Sequence, residues 1–182
     1  MRPQDHPEYF RFAAPEGRSR ESTIVLDAEG RFFHHGAPVE HPGMARAFAS
    51  WIDVHPDDGR FILNNGYDWS YFRVEDAPFF VLGVREQGGQ LWLALSDGSE
   101  SPLEEGTGST KGALGAAGSA PPLIVGDRDA LYTTVKAGKF RARFTPAAQT
   151  ALAPWLVSDE TGQIFLEIAG RRLTLGKFGE AS

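Results

Sequence analysis

The chain has 182 residues, no cysteine, and 18 Lys plus Arg against 24 Asp plus Glu, for a formal charge of −6. Without a thiol, disulfide scaffolds, Cys-ligated zinc and Cys nucleophiles are excluded. The acidic balance argues against a surface built to coat nucleic-acid polymers or anionic membranes, since both need a basic face.

A chain of this length lies between one domain and two small ones, and it can bury a core without a metal or a disulfide. No run approaches the ~20 apolar residues of a membrane-spanning helix. Residues 1 to 17 are polar and lack the apolar run of a signal peptide. A cytoplasmic location is the expectation.

Residues 1–22 read as an arm, because Pro3, Pro7 and Pro15 interrupt any helix. Its apolar cluster Tyr9-Phe10-Phe12 is suited to pinning it to a surface. Regular structure is expected from Ile24-Val25-Leu26, a strand, with a turn over Asp27 to Gly30 and a second strand at Arg31 to His34. Gly36 to Pro42 reads as a loop, and Pro42 to Ile52 as a helix. Pro42 suits the first helical position, and Met44, Phe48, Trp51 and Ile52 form one apolar stripe. Strands follow at Arg60 to Leu63 and Trp69 to Glu75, closing a ββαββ unit over 23–78.

Two further strands, Phe79 to Arg85 and Leu91 to Leu95, come next. Residues 104–122 are dominated by Gly, Ala, Ser and Thr and read as a flexible loop within a second lobe, 79–182. The earlier order then recurs. Strands Leu131 to Val135 and Lys139 to Phe144 precede a helix capped by Thr145 and opened by Pro146. The stripe Ala148, Leu152, Trp155 and Leu156 follows, then a hairpin of Gln163 to Ile168 and Arg171 to Leu175. Gly30-Arg31-Phe32 parallels Gly138-Lys139-Phe140, and each opening Pro precedes a Trp by nine residues. The expected fold is therefore α+β, with two lobes built on a duplicated ββαββ unit.

Several motifs fall short of a chemistry. Gly106 to Gly112 resembles a phosphate loop, but Thr110 precedes Lys111 and Gly112 follows it, against the required pattern. Adjacent His34 and His35 would point to opposite faces of a strand, and His35 with His41 lacks an evident carboxylate partner for a metal. His41 fits the cap of the helix at Pro42. No Ser lies in a G-x-S-x-G turn. No catalytic residue, metal or cofactor is assigned by these patterns.

Two segments are more pointed. In Arg73-Val74-Glu75-Asp76-Ala77-Pro78-Phe79, two carboxylates end a strand before a stiffening Pro. They can accept hydrogen bonds from a ligand, or pair with Arg73 in an ordinary turn. Lys139, Arg141 and Arg143 alternate with Phe140, Ala142 and Phe144, so three cations would line one face of a short strand. Such a face can receive a phosphate or another anion, or pair with neighbouring carboxylates.

The run VEDAPF at Val74 to Phe79, with Gly30-Arg31-Phe32, His35-Gly36, Ala45 to Ala49 and Asp58 to Phe61, resembles the bacterial domain-of-unknown-function 1285 family. Weaker similarity continues through Pro122 to Val125 and Lys139-Phe140. The resemblance implies an α+β fold with a duplicated core and a C-terminal lobe loosely similar to pleckstrin-homology-like folds. It also implies a nucleotide-type ligand in a cleft between the halves and a role in signalling. The chain departs from the family pattern at His41, where Arg is favoured, at Asn64-Asn65-Gly66, and in the Gly/Ala-rich segment.

The reading that follows is a module binding a small anionic, nucleotide-like ligand rather than an enzyme. Arg46, Arg73, Glu75, Asp76, Pro78, Phe79, Lys139, Arg141 and Arg143 are its candidate binding residues. The alternatives are a protein-interaction module without a small-molecule ligand, and an enzyme of unassigned reaction.

Overall fold

The computed structural model describes residues 2–103 and 121–178. The chain divides into two compact units, Met1–Pro78 and Phe79–Ser182. Both mix strands with one short α-helix, so the α+β class is what the sequence led us to expect.

The first unit holds β1 (Glu21–Leu26), β2 (Phe32–His34), β3 (Ala37–Pro38), α1 (Pro42–Ser50), β4 (Ile52–Val54), β5 (Phe61–Asn64) and β6 (Trp69–Val74). They make one six-stranded sheet in the order β3-β2-β1-β6-β5-β4. Only β1 and β6 run parallel. The β1–β2 turn is set by Asp27, whose Oδ1 accepts from the Glu29 and Arg31 amides at 3.0 and 2.8 Å. Gly30 there has φ +86°, a conformation that costs Gly nothing.

Helix α1 starts as expected, with the His41 ring accepting from the Met44 amide at 3.3 Å and Pro42 at the first position. It ends at Ser50 rather than Ile52. The Trp51 carbonyl accepts the Asn64 amide at 2.7 Å, which draws the chain into the sheet, and β-branched Ile52 enters β4 opposite Leu63. Strand β1 begins at Glu21, three residues before the expected start. His35 lies in a left-handed turn (φ 51°) outside the strand, and its ring sits 4.2 Å from that of His34, so the two do not face apart.

Residues 2–20 are anchored to this unit. Tyr9 is buried with Ile62 and Trp69, and Phe10 and Tyr71 pack against that cluster. The Trp69 indole donates to the Tyr9 carbonyl at 3.4 Å. The Arg20 guanidinium lies 4.3 Å above the Trp69 ring and donates to the Trp69, Phe12 and Ala13 carbonyls and to Asp68. His55, also buried, accepts the Asp57 amide at Nδ1 and donates from Nε2 to the Phe10 carbonyl. The aromatic pair Tyr9-Phe10 therefore does what its composition suggested, while Phe12 stays half exposed.

The second unit holds β7 (Phe79–Gln87), β8 (Gln90–Leu95), β9 (Glu100–Pro102), β10 (Ile124–Val125), β11 (Leu131–Val135), β12 (Phe140–Phe144), α2 (Pro146–Leu152), β13 (Leu156–Ser158), β14 (Ile164–Ile168), β15 (Arg171–Thr174) and β16 (Gly176–Lys177). A seven-stranded sheet runs β16-β10-β11-β12-β7-β8-β9, and β13-β14-β15 form a separate three-stranded sheet. The β12–β7 and β10–β16 pairs are parallel. Phe79, Leu93, Phe144, Leu152 and Leu166 are among the fully buried side chains of its core.

Helix α2 has the expected Thr145 cap, whose Oγ1 accepts the Ala148 amide at 3.2 Å. The apolar stripe does not continue as helix, because Pro154 has no amide proton to give to a carbonyl one turn back. Ala153–Trp155 form a 3-10 turn and Leu156 opens β13. The short strands β3, β9, β10 and β16 were not expected. Each has two or three residues, too few to show an alternation. Of the expected flexible loop 104–122, residues 104–120 lie outside the described residues, and with them the phosphate-loop-like Gly106 to Gly112. Among the described residues no helix is long and apolar enough to cross a membrane.

Candidate ligand-binding site

Within the first unit, the carboxylate segment leaves the sheet at the end of β6. The Glu75 amide still donates to the Leu26 carbonyl at 2.9 Å, so it continues the β1–β6 pairing by one residue. Arg73 donates to Glu75 Oε1 at 2.9 Å. The pair is exposed, and such a bridge contributes at most about 1 kcal/mol. Asp76 is half-buried, Ala77 and Pro78 are buried, and Arg46 is exposed on α1. Of the expected site residues in this unit, the structure brings Arg73 and Glu75 into direct contact.

In the second unit, Phe79 opens β7 in the core, with its ring 5.1 Å from that of Phe140. Strand β12 alternates as its pattern requires: Phe140, Ala142 and Phe144 are buried, while Arg141 and Arg143 are half-buried on the other face. Lys139 is not part of the strand. It sits in the turn before β12, its ammonium 5.1 Å from the Phe140 ring centroid. The basic strand face therefore holds two cations, with the third beside it in the turn.

Arg141 and Arg143 meet aromatic side chains that the sequence reading did not single out. The Arg141 guanidinium lies 5.3 Å from the Tyr132 ring and 5.4 Å from the Phe178 ring. Arg143 lies 5.9 Å from Tyr132. Tyr132 and Phe178 are themselves edge to face at 5.0 Å. Gly126 makes this possible, because a Cβ there would fall 2.6 Å from Tyr132 Cε2 and 2.8 Å from Phe178 Cδ2. Tyr132 could have been found by register. Once the turn joins β11 to β12, Val135 faces Phe140 and Tyr132 faces Arg143. Phe178 arrives from beyond β16, where its backbone N–H donates to the Val125 carbonyl at 3.1 Å, a long-range pairing with no local signal.

The turn that presents β12 is held from outside. Lys136, Ala137 and Gly138 all have positive φ, at 56°, 57° and 78°. Lys136 Nζ donates to Asp97 Oδ2 at 2.7 Å and to Ser99 Oγ at 2.6 Å. Burial pushes the Asp97 carboxyl up, but the Lys136 and Ser99 hydrogen bonds outweigh it and hold the group below the usual range. Through this pairing Lys136 anchors the turn.

No family model matches the chain, and no curated protein matches it. Among solved structures it is similar to a DUF1285 family protein from Silicibacter pomeroyi DSS-3. That likeness has a TM-score of 0.57 and 22% identity, and covers 94% of each chain. A DUF1285 family protein from Shewanella baltica OS155 is similar at a TM-score of 0.47 and 19% identity, over 71% of this chain and 88% of that one. The first likeness shows a shared fold along almost the whole chain.

Proposed function

We propose that the chain is a member of the DUF1285 family and acts as a non-catalytic module that binds a small anionic, nucleotide-type ligand in a cytoplasmic signalling role. The observation that carries the reading is the β12 face. Two guanidinium groups of one strand lie over aromatic rings, Arg141 over Tyr132 and Phe178 and Arg143 over Tyr132. Arg offers planar, bidentate hydrogen bonding to phosphate, and the exposed Phe178 ring offers a stacking surface for a base. The VEDAPF run at Val74 to Phe79 and the fold shared with the Silicibacter pomeroyi protein support the family assignment.

The same proposal takes residues 1–22 as an arm and the lobes 23–78 and 79–182 as two copies of one ββαββ unit, the second loosely pleckstrin-homology-like. The recurrence of a Pro-opened helix after an antiparallel strand pair, followed by an antiparallel meander, supports the duplication. Lys139, Arg46 and Arg73 are the further cations of the proposal, Pro78 and Phe79 its apolar members, and Glu75 with Asp76 its acceptors.

Calorimetric titration and thermal shift against a panel of mono- and dinucleotides test this. A ligand present at 100 times its Kd stabilises by about 2.7 kcal/mol. Binding by at least one nucleotide, weakened tenfold or more in Arg141→Ala and Arg143→Ala, is the expected result. No shift with any nucleotide overturns the reading. A double-mutant cycle between Glu75→Gln and Arg141→Ala then tests whether acceptors and cations serve one ligand, since residues that do so give a coupling energy and independent ones add.

A further inference from the structure

The turn between β5 and β6 carries Asn65-Gly66, part of the run Asn64-Asn65-Gly66 to which the proposed function gives no role. An Asn followed by Gly is the pair most prone to spontaneous deamidation, because glycine has no side chain to shield its backbone nitrogen. The reaction needs two freedoms. The Gly66 N–H must be able to lose its proton, and the Asn65 carboxamide must be able to swing its carbon onto that nitrogen. The fold withholds both.

The Gly66 N–H donates to Asn64 Oδ1 at 2.9 Å. The same oxygen accepts the Tyr9 hydroxyl at 3.1 Å, and Tyr9 is the buried anchor of residues 2–20. The Asn65 carboxamide is held as well, with its Oδ1 accepting the Tyr67 and Asp68 amides at 2.9 Å each. Gly66 is buried although Asn65 and Tyr67 beside it are exposed. Its cover is the arm. The Gln4 amide donates to the Gly66 carbonyl at 3.2 Å, and a Cβ on Gly66 would sit 3.1 Å from Gln4 Oε1. The nucleophile is therefore tied to Tyr9 through one shared acceptor and lies under Gln4.

We propose that Asn65-Gly66 is a deamidation site locked by the N-terminal arm, and that reaction there releases the arm irreversibly. A docked segment opens locally with its own free energy, so the rate in the folded protein reports the open fraction. When the arm lifts, the Gly66 nitrogen loses its proton and attacks Asn65 Cγ. A new C–N bond closes a succinimide ring, the Cγ–Nδ2 bond breaks, and the side-chain nitrogen leaves with the proton as ammonia. Water then opens the ring at either carbonyl, giving aspartate or isoaspartate. Isoaspartate adds a methylene to the backbone just before Gly66. It displaces both the carbonyl that Gln4 uses and the N–H that Asn64 accepts. The arm then has no matching turn to return to. The inference does not rest on the β12 face.

Peptide mass mapping of protein aged in mildly alkaline buffer reads the rate, and isoaspartate-specific methylation reads the product. Folded wild type should deamidate at Asn65 about tenfold or more slowly than the chain unfolded in guanidinium chloride. Tyr9→Phe keeps the buried ring and loses only the hydroxyl, and it should speed the folded reaction about two- to tenfold. Asn64→Ala should speed it further. Asn64→Asp, whose carboxylate accepts both donors, should be no faster than wild type. Hydrogen exchange at the Gln4 amide should rise about tenfold or more in the isoaspartate form. Equal rates in folded and unfolded protein, unchanged rates in Tyr9→Phe and Asn64→Ala, or a faster Asn64→Asp would each overturn the lock. Unchanged Gln4 exchange in the isoaspartate form would overturn the release.

Discussion

The two units follow the same local script and end with different sheets. Each has an antiparallel strand pair, a helix opened by proline, and an antiparallel three-strand meander. In the first unit the last meander strand, β6, pairs in parallel with β1 and yields a single six-stranded sheet. In the second, β15 stays at the edge of a separate three-stranded sheet. The composition of that one strand explains the difference. Strand β6 is Trp-Ser-Tyr-Phe-Arg-Val, with Trp69 and Phe72 buried. Strand β15 is Arg-Arg-Leu-Thr, with no buried residue. A central strand must offer side chains to packed layers, whereas an edge is protected by charge.

The largest expected effect breaks the closed sheet at its aromatic anchor. Trp69 supports Tyr9, receives the Arg20 cation on its face and lies 4.9 Å from the His55 ring. Trp69→Ala should destabilise by about 3–5 kcal/mol in urea titration, as deletion of a large buried aromatic does. Limited proteolysis should also begin to cut after Arg11, Arg18 and Arg20. A loss below about 1 kcal/mol would mean that residues 2–20 are held by something other than this cluster.

The second effect acts on the opposite unit. Asp97→Asn removes the charge that anchors Lys136, and a broken charged hydrogen bond of this kind costs about 1.5–3 kcal/mol at neutral pH. The pH dependence has a definite sign. The folded carboxyl lies below its ordinary value of 3.8, so its stabilisation is present above that value. It drains as the pH falls through 3.8 and then through the lower folded value. Wild type and Asp97→Asn should therefore converge in stability in acid and diverge above pH ~5. Parallel curves at all pH values would show that the turn is held by backbone alone.

Much of this architecture is readable before any coordinates. Pro42 and Pro146 mark both helix starts, and the alternation of Phe140, Ala142 and Phe144 gives the face of β12 correctly. What escapes reading has a physical cause in each case. Ile52 joins the apolar stripe of α1 by spacing, yet the hydrogen bond that the Asn64 amide donates to the Trp51 carbonyl takes the chain into β4. Lys139 keeps the strand's spacing, but three residues of positive φ before it place it in the turn. Phe178 reaches Tyr132 only through the parallel pairing of β10 with β16, which two residues per strand cannot announce. Glu75 shows the reverse: the plain reading, an ion pair with Arg73, is the contact present within its unit.

The smallest effects compare the two helix caps. Thr145 Oγ1 accepts the Ala148 amide and donates to the Val81 carbonyl at 3.0 Å, tying α2 to β7. His41 makes only the longer 3.3 Å contact with Met44 and is exposed. Thr145→Ala should cost about 1–2 kcal/mol and His41→Ala about 0.5 kcal/mol or less. The replacement by aspartate then reverses the order. At position 41 a carboxylate accepts the free helix amides and meets the positive end of the helix, so His41→Asp should gain about 0.5–1 kcal/mol. At position 145 the same carboxylate can accept from Ala148 but cannot donate to Val81, and it faces that carbonyl with negative charge. Thr145→Asp should be destabilising in thermal denaturation. A gain at both positions would mean that the Val81 bond adds nothing, and that the two helices are held by their caps in the same way.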